Sequence, residues 1–195
     1  MMKIGQKTYV ALPDEILDVS PGSVVIRLKP CFPLFAFGYG WHSTTRAFVN
    51  ALEREDLSGK SVLDLGCGNG VLSILAMKLG SARVTALDFS WQAAKFTREH
   101  ADLNAVQVEF LEQDISEYQG DGFDLVLCNM DFGPKKPEKI METLRFTSDS
   151  GEVVLPYESE ESWRLERASE KAKLKLSKDQ SGGRWDIFRM RRAQP

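Results

Sequence analysis

Residues 64–70 read Asp-Leu-Gly-Cys-Gly-Asn-Gly, three alternate glycines at the end of an apolar run. That run, Ser61–Leu65, lies between Gly59 and Gly66 and has the continuous apolar character of a strand covered on both faces. After the glycines, Leu72, Leu75, Ala76 and Leu79 recur at helical spacing until Gly80. A strand that turns through glycine directly into a helix opens a βα unit, and the rest of the chain repeats the unit.

Strands are expected over residues 83–87, 106–111, 123–128 and 151–155. Helices are expected over 90–102, with Ser90 as its cap, and over 137–146 and 158–173. Residues 174–177 and 184–190 form a closing pair around a turn at Ser181-Gly182-Gly183. Upstream, residues 24–28 are a β-branched strand, Pro30 and Pro33 hold residues 29–36 extended, and Ser43 caps a helix to about residue 54. Repeated βα units predict an α/β, Rossmann-like fold. Its sheet is seven-stranded and mostly parallel, with an antiparallel C-terminal strand and helices on both faces. All 195 residues are read as one domain, with residues 1–23 as a lead-in.

In such a sheet ligands bind at the carboxyl ends of the strands, so the turn at Asp64, Gly66, Cys67, Gly68 and Gly70 is the first place to look. Glycine permits positive φ and close approach of a ligand, and a helix start offers backbone N–H groups. A dinucleotide fingerprint needs a glycine where Val71 stands. The spacing instead fits a nucleoside without pyrophosphate, such as S-adenosylmethionine (SAM), whose methionine carboxylate suits backbone donors. Asp88 closes the next strand and can accept both ribose hydroxyls. The alternative is a helix cap, a role that Ser90 already fills. Asp114 ends the third strand and either accepts from the adenine amino group or makes an Asx turn. Phe89 either packs on the nucleoside or belongs to the core.

The fourth strand ends Cys128-Asn129-Met130-Asp131-Phe132. Asn followed three residues later by Phe resembles the N-P-P-[YF] motif of amino-group methyltransferases, although Met130 and Asp131 replace both prolines. In that motif the amide oxygen orients the nitrogen nucleophile and the ring holds it by cation–π contact. Asn129 and Phe132 are therefore the catalytic candidates, with Asp131 a candidate base; the alternative is a turn cap and a core ring.

Composition narrows the partners. A formal charge of −3 argues against a broad nucleic-acid footprint. The basic tail Arg184, Arg189, Arg191 and Arg192 is either a phosphate contact or a solvated face. Cys31, Cys67 and Cys128 are scattered and the histidines are only His42 and His100, so neither a disulfide framework nor a metal site is expected. No apolar run reaches membrane length and residues 1–23 lack the order of an export signal, so a cytoplasmic location is expected.

The stretch before the first βα unit carries a more specific signal. Phe37-Gly38-Tyr39-Gly40-Trp41-His42-Ser43-Thr44-Thr45 resembles F-G-T-G-x-H-x-T-T, the mark of the methyltransferases of ribosomal large-subunit protein eleven, the PrmA family. Residues 59–74 resemble that family's core motif, Cys128-Asn129-Met130 its A-N-I, and residues 185–189 its closing strand. The resemblance runs over about residues 24–192 and implies the class I SAM-dependent methyltransferase fold with SAM as cofactor. It implies SAM contacts from Thr45, Gly66, Asp88 and Asn129, a loop at 37–45 over the methionine end, and His42 as a loop organiser. Tyr39, Trp41 and His100 depart from the family pattern. Family members carry an N-terminal recognition domain, whereas about 23 residues precede the first strong strand here. The expected function is SAM-dependent N-methylation of a protein amine, with target choice made by other means. RNA or DNA bases and small molecules are alternative acceptors, and an inactive SAM-binding regulator is the alternative of another class.

Overall fold

A computed structural model describes residues 1–30, 42–130, 136–180 and 184–193. In chain order its elements are β1 (Met2–Lys3), β2 (Thr8–Ala11), β3 (Val24–Arg27), α1 (Ser43–Leu52), β4 (Ser61–Leu65), α2 (Val71–Lys78), β5 (Arg83–Asp88), α3 (Trp91–Leu103) and β6 (Glu109–Glu112). There follow β7 (Phe123–Cys128), α4 (Pro137–Glu142), β8 (Thr147–Glu158), α5 (Ser162–Lys171), β9 (Leu174–Gln180) and β10 (Trp185–Arg192).

The seven strands from β4 onward form one sheet in the order β6-β5-β4-β7-β8-β10-β9. β6, β5, β4, β7 and β8 run parallel, and β10 runs antiparallel to both β8 and β9. Side chains alternate across this sheet as a strand requires. Val62, Leu125, Leu127 and Val154 pack with Phe48 and Leu52 of α1 and with Ile74 and Leu75 of α2. Leu63, Leu65, Val126 and Leu155 pack on the other face with Ile140 of α4 and Leu165 of α5. The apolar runs of β4 and β7 thus face two helical layers, as their lack of alternation predicts.

Residues 1–23 are more than a lead-in. β1, β2 and β3 make a second, three-stranded sheet, with β1 antiparallel and β3 parallel to β2. Its Ile4, Val10 and Ile26 are buried in the same cluster as α1 and α2. The strand expected at 24–28 exists, but it belongs to this small sheet.

Other boundaries shift for local reasons. The helix expected over 137–146 gives way after Glu142 to a 3-10 turn over Thr143–Phe146. The helix expected from 158 begins at Ser162, after a 3-10 turn over Ser159–Glu161. β8 is longer than expected: it begins at Thr147, where its pairing with β7 slips between Phe123 and Leu125, and runs on to Glu158 against β10. A Cβ at Gly151 would stand 2.3 Å from the Phe123 carbonyl oxygen, so only glycine lets the bulge close. The turn expected at 181–183 lies outside the described residues.

Candidate functional site

β5 and β7 lie on opposite sides of β4, so the chain reverses direction across the sheet beside β4. The carboxyl ends of these three strands surround a cleft of about 370 Å³. Of the residues expected to form a site, Thr45, Asp64, Gly66, Cys67, Gly68, Asp88, Phe89 and Asn129 all line it. Topology brings them together, since they come from α1 and the ends of β4, β5 and β7.

The glycine turn is held in a backbone shape that other residues resist. Gly66, Gly68 and Gly70 have φ of +65°, +58° and +79°. A Cβ on Gly66 would also lie 2.6 Å from Met130 Cγ, so the turn and the end of β7 touch through that missing atom. The turn's own N–H groups are largely used within the fold. Those of Gly66 and Cys67 donate to the Leu87 carbonyl at 2.8 and 3.2 Å, and Gly70 donates to Cys67 at 2.9 Å. Gly68 N donates to Asp88 Oδ2 at 3.1 Å and Val71 N to Asn69 Oδ1 at 3.3 Å. The glycines therefore give a ligand proximity more than donors.

Two carboxylates set the electrostatics. Asp64 is 1% exposed and accepts the Ser73 hydroxyl at 2.6 Å. Burial pushes its carboxyl up to about 7, opposed by the Ser73 hydroxyl and backbone N–H and reinforced by the charge of Asp88. The start of α2 is thus directed at the protein's own acid. Asp88 Oδ1 accepts from Ser90 N at 3.0 Å while Oδ2 holds Gly68 N, so one carboxylate braces two βα turns and keeps lone pairs for a ligand. Ser90 sits at the α3 cap position but sends its hydroxyl to Gln92 Oε1 at 2.7 Å. No lysine or arginine lines the cleft among the described residues. Such a pocket suits a cation and offers nothing to a pyrophosphate.

On the β7 side, Asn129 Nδ2 donates to Thr45 Oγ1 at 3.3 Å. Thr45 is buried on α1, and His42 caps that helix: its Nδ1 accepts from Thr44 N at 3.3 Å and lies 2.7 Å from Thr44 Oγ1. The cap is His42 and not Ser43. Burial, and then the charge of Arg184, lower the His42 imidazole below its usual range. Phe132, Asp131 and residues 37–41 lie outside the described residues.

Two expected ligand residues are not in the cleft lining. Gly70 is the N-cap of α2, with Thr97 Cγ2 2.9 Å from where its Cβ would be. Asp114 is exposed and accepts from Ser116 N at 2.8 Å and Ser116 Oγ at 2.6 Å, which is the Asx turn. Phe89 lines the cleft at 76% exposure and is not a core ring. Sequence reasoning passed over Asn69, Leu72, Ser90 and Gln92, which also line the cleft. Their signal was positional, since Asn69 lies between two glycines of the turn and the others lie within four residues of Gly70 or Asp88. The basic tail is mostly committed. Arg189 meets Glu55, Glu152 and Asp179, Arg184 pairs with Glu158, and Arg192 donates to Thr147 and to the Leu144 carbonyl.

A cleft at the switch point of this sheet, with a glycine turn and an acid ending β5, defines the SAM-dependent methyltransferase fold. The same fold is found in magnesium protoporphyrin IX methyltransferase (ChlM) from Synechocystis PCC 6803, solved with bound SAM. That likeness has a TM-score of 0.59 at 18% identity and covers 75% of this chain and 76% of that one. The ribosomal protein L11 methylase of Lactobacillus delbrueckii subsp. bulgaricus superposes with a TM-score of 0.83 at 22% identity, over 99% of this chain and 98% of that one.

Residues 2–132 match the profile of ribosomal protein L11 methyltransferase (PrmA), and the chain belongs to that family. The ribosomal protein L11 methyltransferase of Vibrio campbellii is 38% identical over 135 residues, 68% of this chain and 44% of the relative. The chain spans about half the length of the curated relatives it matches. Among the described residues no helix is long and apolar enough to cross a membrane.

Proposed function

We propose that the cleft binds SAM and that the chain transfers its methyl group to an amine of a protein. The observation that carries the reading is the acidic cleft itself: Asp64 and Asp88 flank the glycine turn with no lysine or arginine in the lining among the described residues, beside the Thr45–Asn129 pair. SAM, when bound, supplies a methyl group already activated by a sulfonium. Asp88 then accepts the ribose hydroxyls, and buried Asp64 answers the positive charge of the amino-acid end. With Nδ2 given to Thr45, the Asn129 carboxamide has Oδ1 left to accept from the acceptor's N–H and orient its lone pair. Phe132 is assigned beside it from the motif alone. Catalysis here is alignment and charge placement, with no covalent intermediate on the protein.

Family membership favours a protein acceptor, and ribosomal protein L11 is the first to try. The partners held by Arg184, Arg189 and Arg192 weaken the nucleic-acid reading. A direct test incubates the chain with radiolabelled SAM and a cell lysate, then splits the product by protease or nuclease. Label lost to protease supports the proposal, and label lost only to nuclease moves the acceptor to a base. Label that survives both treatments points to a small molecule. Binding without any label leaves the regulator reading.

A further inference from the structure

His100 is fully buried on α3 and has both ring nitrogens engaged by main chain. Nε2 is 3.0 Å from Lys29 N and Nδ1 is 2.9 Å from the Asn69 carbonyl oxygen. A backbone N–H only donates and a carbonyl only accepts, so these partners define one state of the ring: neutral, with its proton on Nδ1. Burial favours that neutral form, Lys29's charge acts in the same direction and Glu99's acts against it. One turn further along α3, Asn104 grips β3 both ways. Its Oδ1 accepts from Arg27 N at 2.8 Å and its Nδ2 donates to Arg27 O at 2.7 Å. Arg27 and Lys29 are thus held by different side chains; Asn104 Nδ2 also donates to the His100 carbonyl at 2.7 Å, while the His100 ring runs on to the Asn69 carbonyl of the glycine turn.

We infer that His100 is a positioning residue that ties the glycine turn, at Asn69, to the chain leaving β3, at Lys29. Asn69 lines the cleft directly. The chain beyond Lys29 runs on to Thr45, which lines the cleft beside Asn129. One imidazole therefore joins the main chain of the turn to the main chain leaving β3. With the cleft read as a SAM site, on which this assignment rests, His100 sets ligand affinity without touching the ligand.

The test uses the full chain. Nitrogen-15 NMR of the wild-type imidazole at pH 8, without ligand, is expected to show N–H at Nδ1 and a bare Nε2. A ring protonated at Nε2 overturns the link, and this arm stands even if a variant fails to fold. In His100→Phe, hydrogen exchange of the Lys29 and Gly70 amides is expected to rise together, while that of Arg27, held by Asn104, stays as it was. A uniform rise at all three reports a merely structural role and overturns the inference. Calorimetry with S-adenosylhomocysteine is expected to show affinity reduced roughly tenfold in His100→Phe, with part recovered in His100→Gln, whose amide restores one of the two bonds. Unchanged affinity in His100→Phe overturns the inference. A wild type with the expected tautomer and exchange pattern that binds no S-adenosylhomocysteine supports the link and refutes the ligand assigned to the cleft.

Discussion

Replacing Asp64 by Asn should make the protein more stable at neutral pH and a poorer receptor for its ligand. Asp64 lies 1% exposed at the end of β4, and the Ser73 hydroxyl it accepts can be kept by the Oδ1 of an asparagine. In the fold its carboxyl ionises near 7; in the unfolded chain it ionises near the ordinary 3.8. Because the folded value is raised, the stability contributed by the neutral acid is complete below 3.8 and is lost as pH rises towards 7. The loss is about 1.4 kcal/mol for each pH unit in that window, or about 4 kcal/mol in all. Asparagine has no such titration. The difference in unfolding free energy, Asp64→Asn minus wild type, should therefore grow from pH 4 to 7 and then level off. Urea denaturation of both proteins across that range measures it, and the remaining titrating groups cancel in the difference. A flat difference would show that Asp64 ionises in the fold without cost and would refute the reasoning. The same charge should serve the ligand: S-adenosylhomocysteine, whose amino-acid end keeps an ammonium, should release a proton on binding to the wild type near pH 6.5 and none from this carboxyl in Asp64→Asn.

Asp88→Ala removes the acceptor of the ribose hydroxyls and should weaken S-adenosylhomocysteine by roughly 1.5–3 kcal/mol per lost bond, read by calorimetry; unchanged affinity would remove the ribose role. Gly66→Ala places a Cβ at positive φ against Met130 and should cost at least about 1 kcal/mol in thermal unfolding. Adding Met130→Ala should relieve the clash but leave the backbone strain, so full recovery by the double variant contradicts this account of the turn. Arg189→Met, at a side chain that is 12% exposed, takes the cation from Glu152 and leaves Glu55 to Lys60 and Asp179 to Arg54, and should cost about 3 kcal/mol. A loss within a few tenths would mean the cluster is solvated after all.

The centre of the main sheet was legible because β4, β5 and β7 are largely apolar runs next to helical patterns, and period decides those. The candidate site was legible where a polar residue ends an apolar strand: Asp88 and Asn129 are such residues, and both line the cleft. β1 and β2 were not legible, because Met2–Lys3 and Thr8–Ala11 are too short to show a period and acquire meaning only by packing on α1 and α2. Long-range hydrogen bonds were equally hidden. Nothing local says that His100 meets both Lys29 and Asn69, or that the arginine of an apparent basic tail closes on Glu55. The glycine turn was misjudged in one respect, since its N–H groups look available in sequence and are spent on Leu87, Asp88 and Asn69 in the fold.

The central claim is that the acidic cleft beside the glycine turn is a SAM site. Isothermal titration of the purified chain with S-adenosylhomocysteine at pH 8, repeated with Asp88→Ala, tests it most directly. The account predicts one site per chain with micromolar affinity in the wild type and a clear loss in the variant. No heat with S-adenosylhomocysteine or with SAM, from a chain that melts cooperatively, would contradict it.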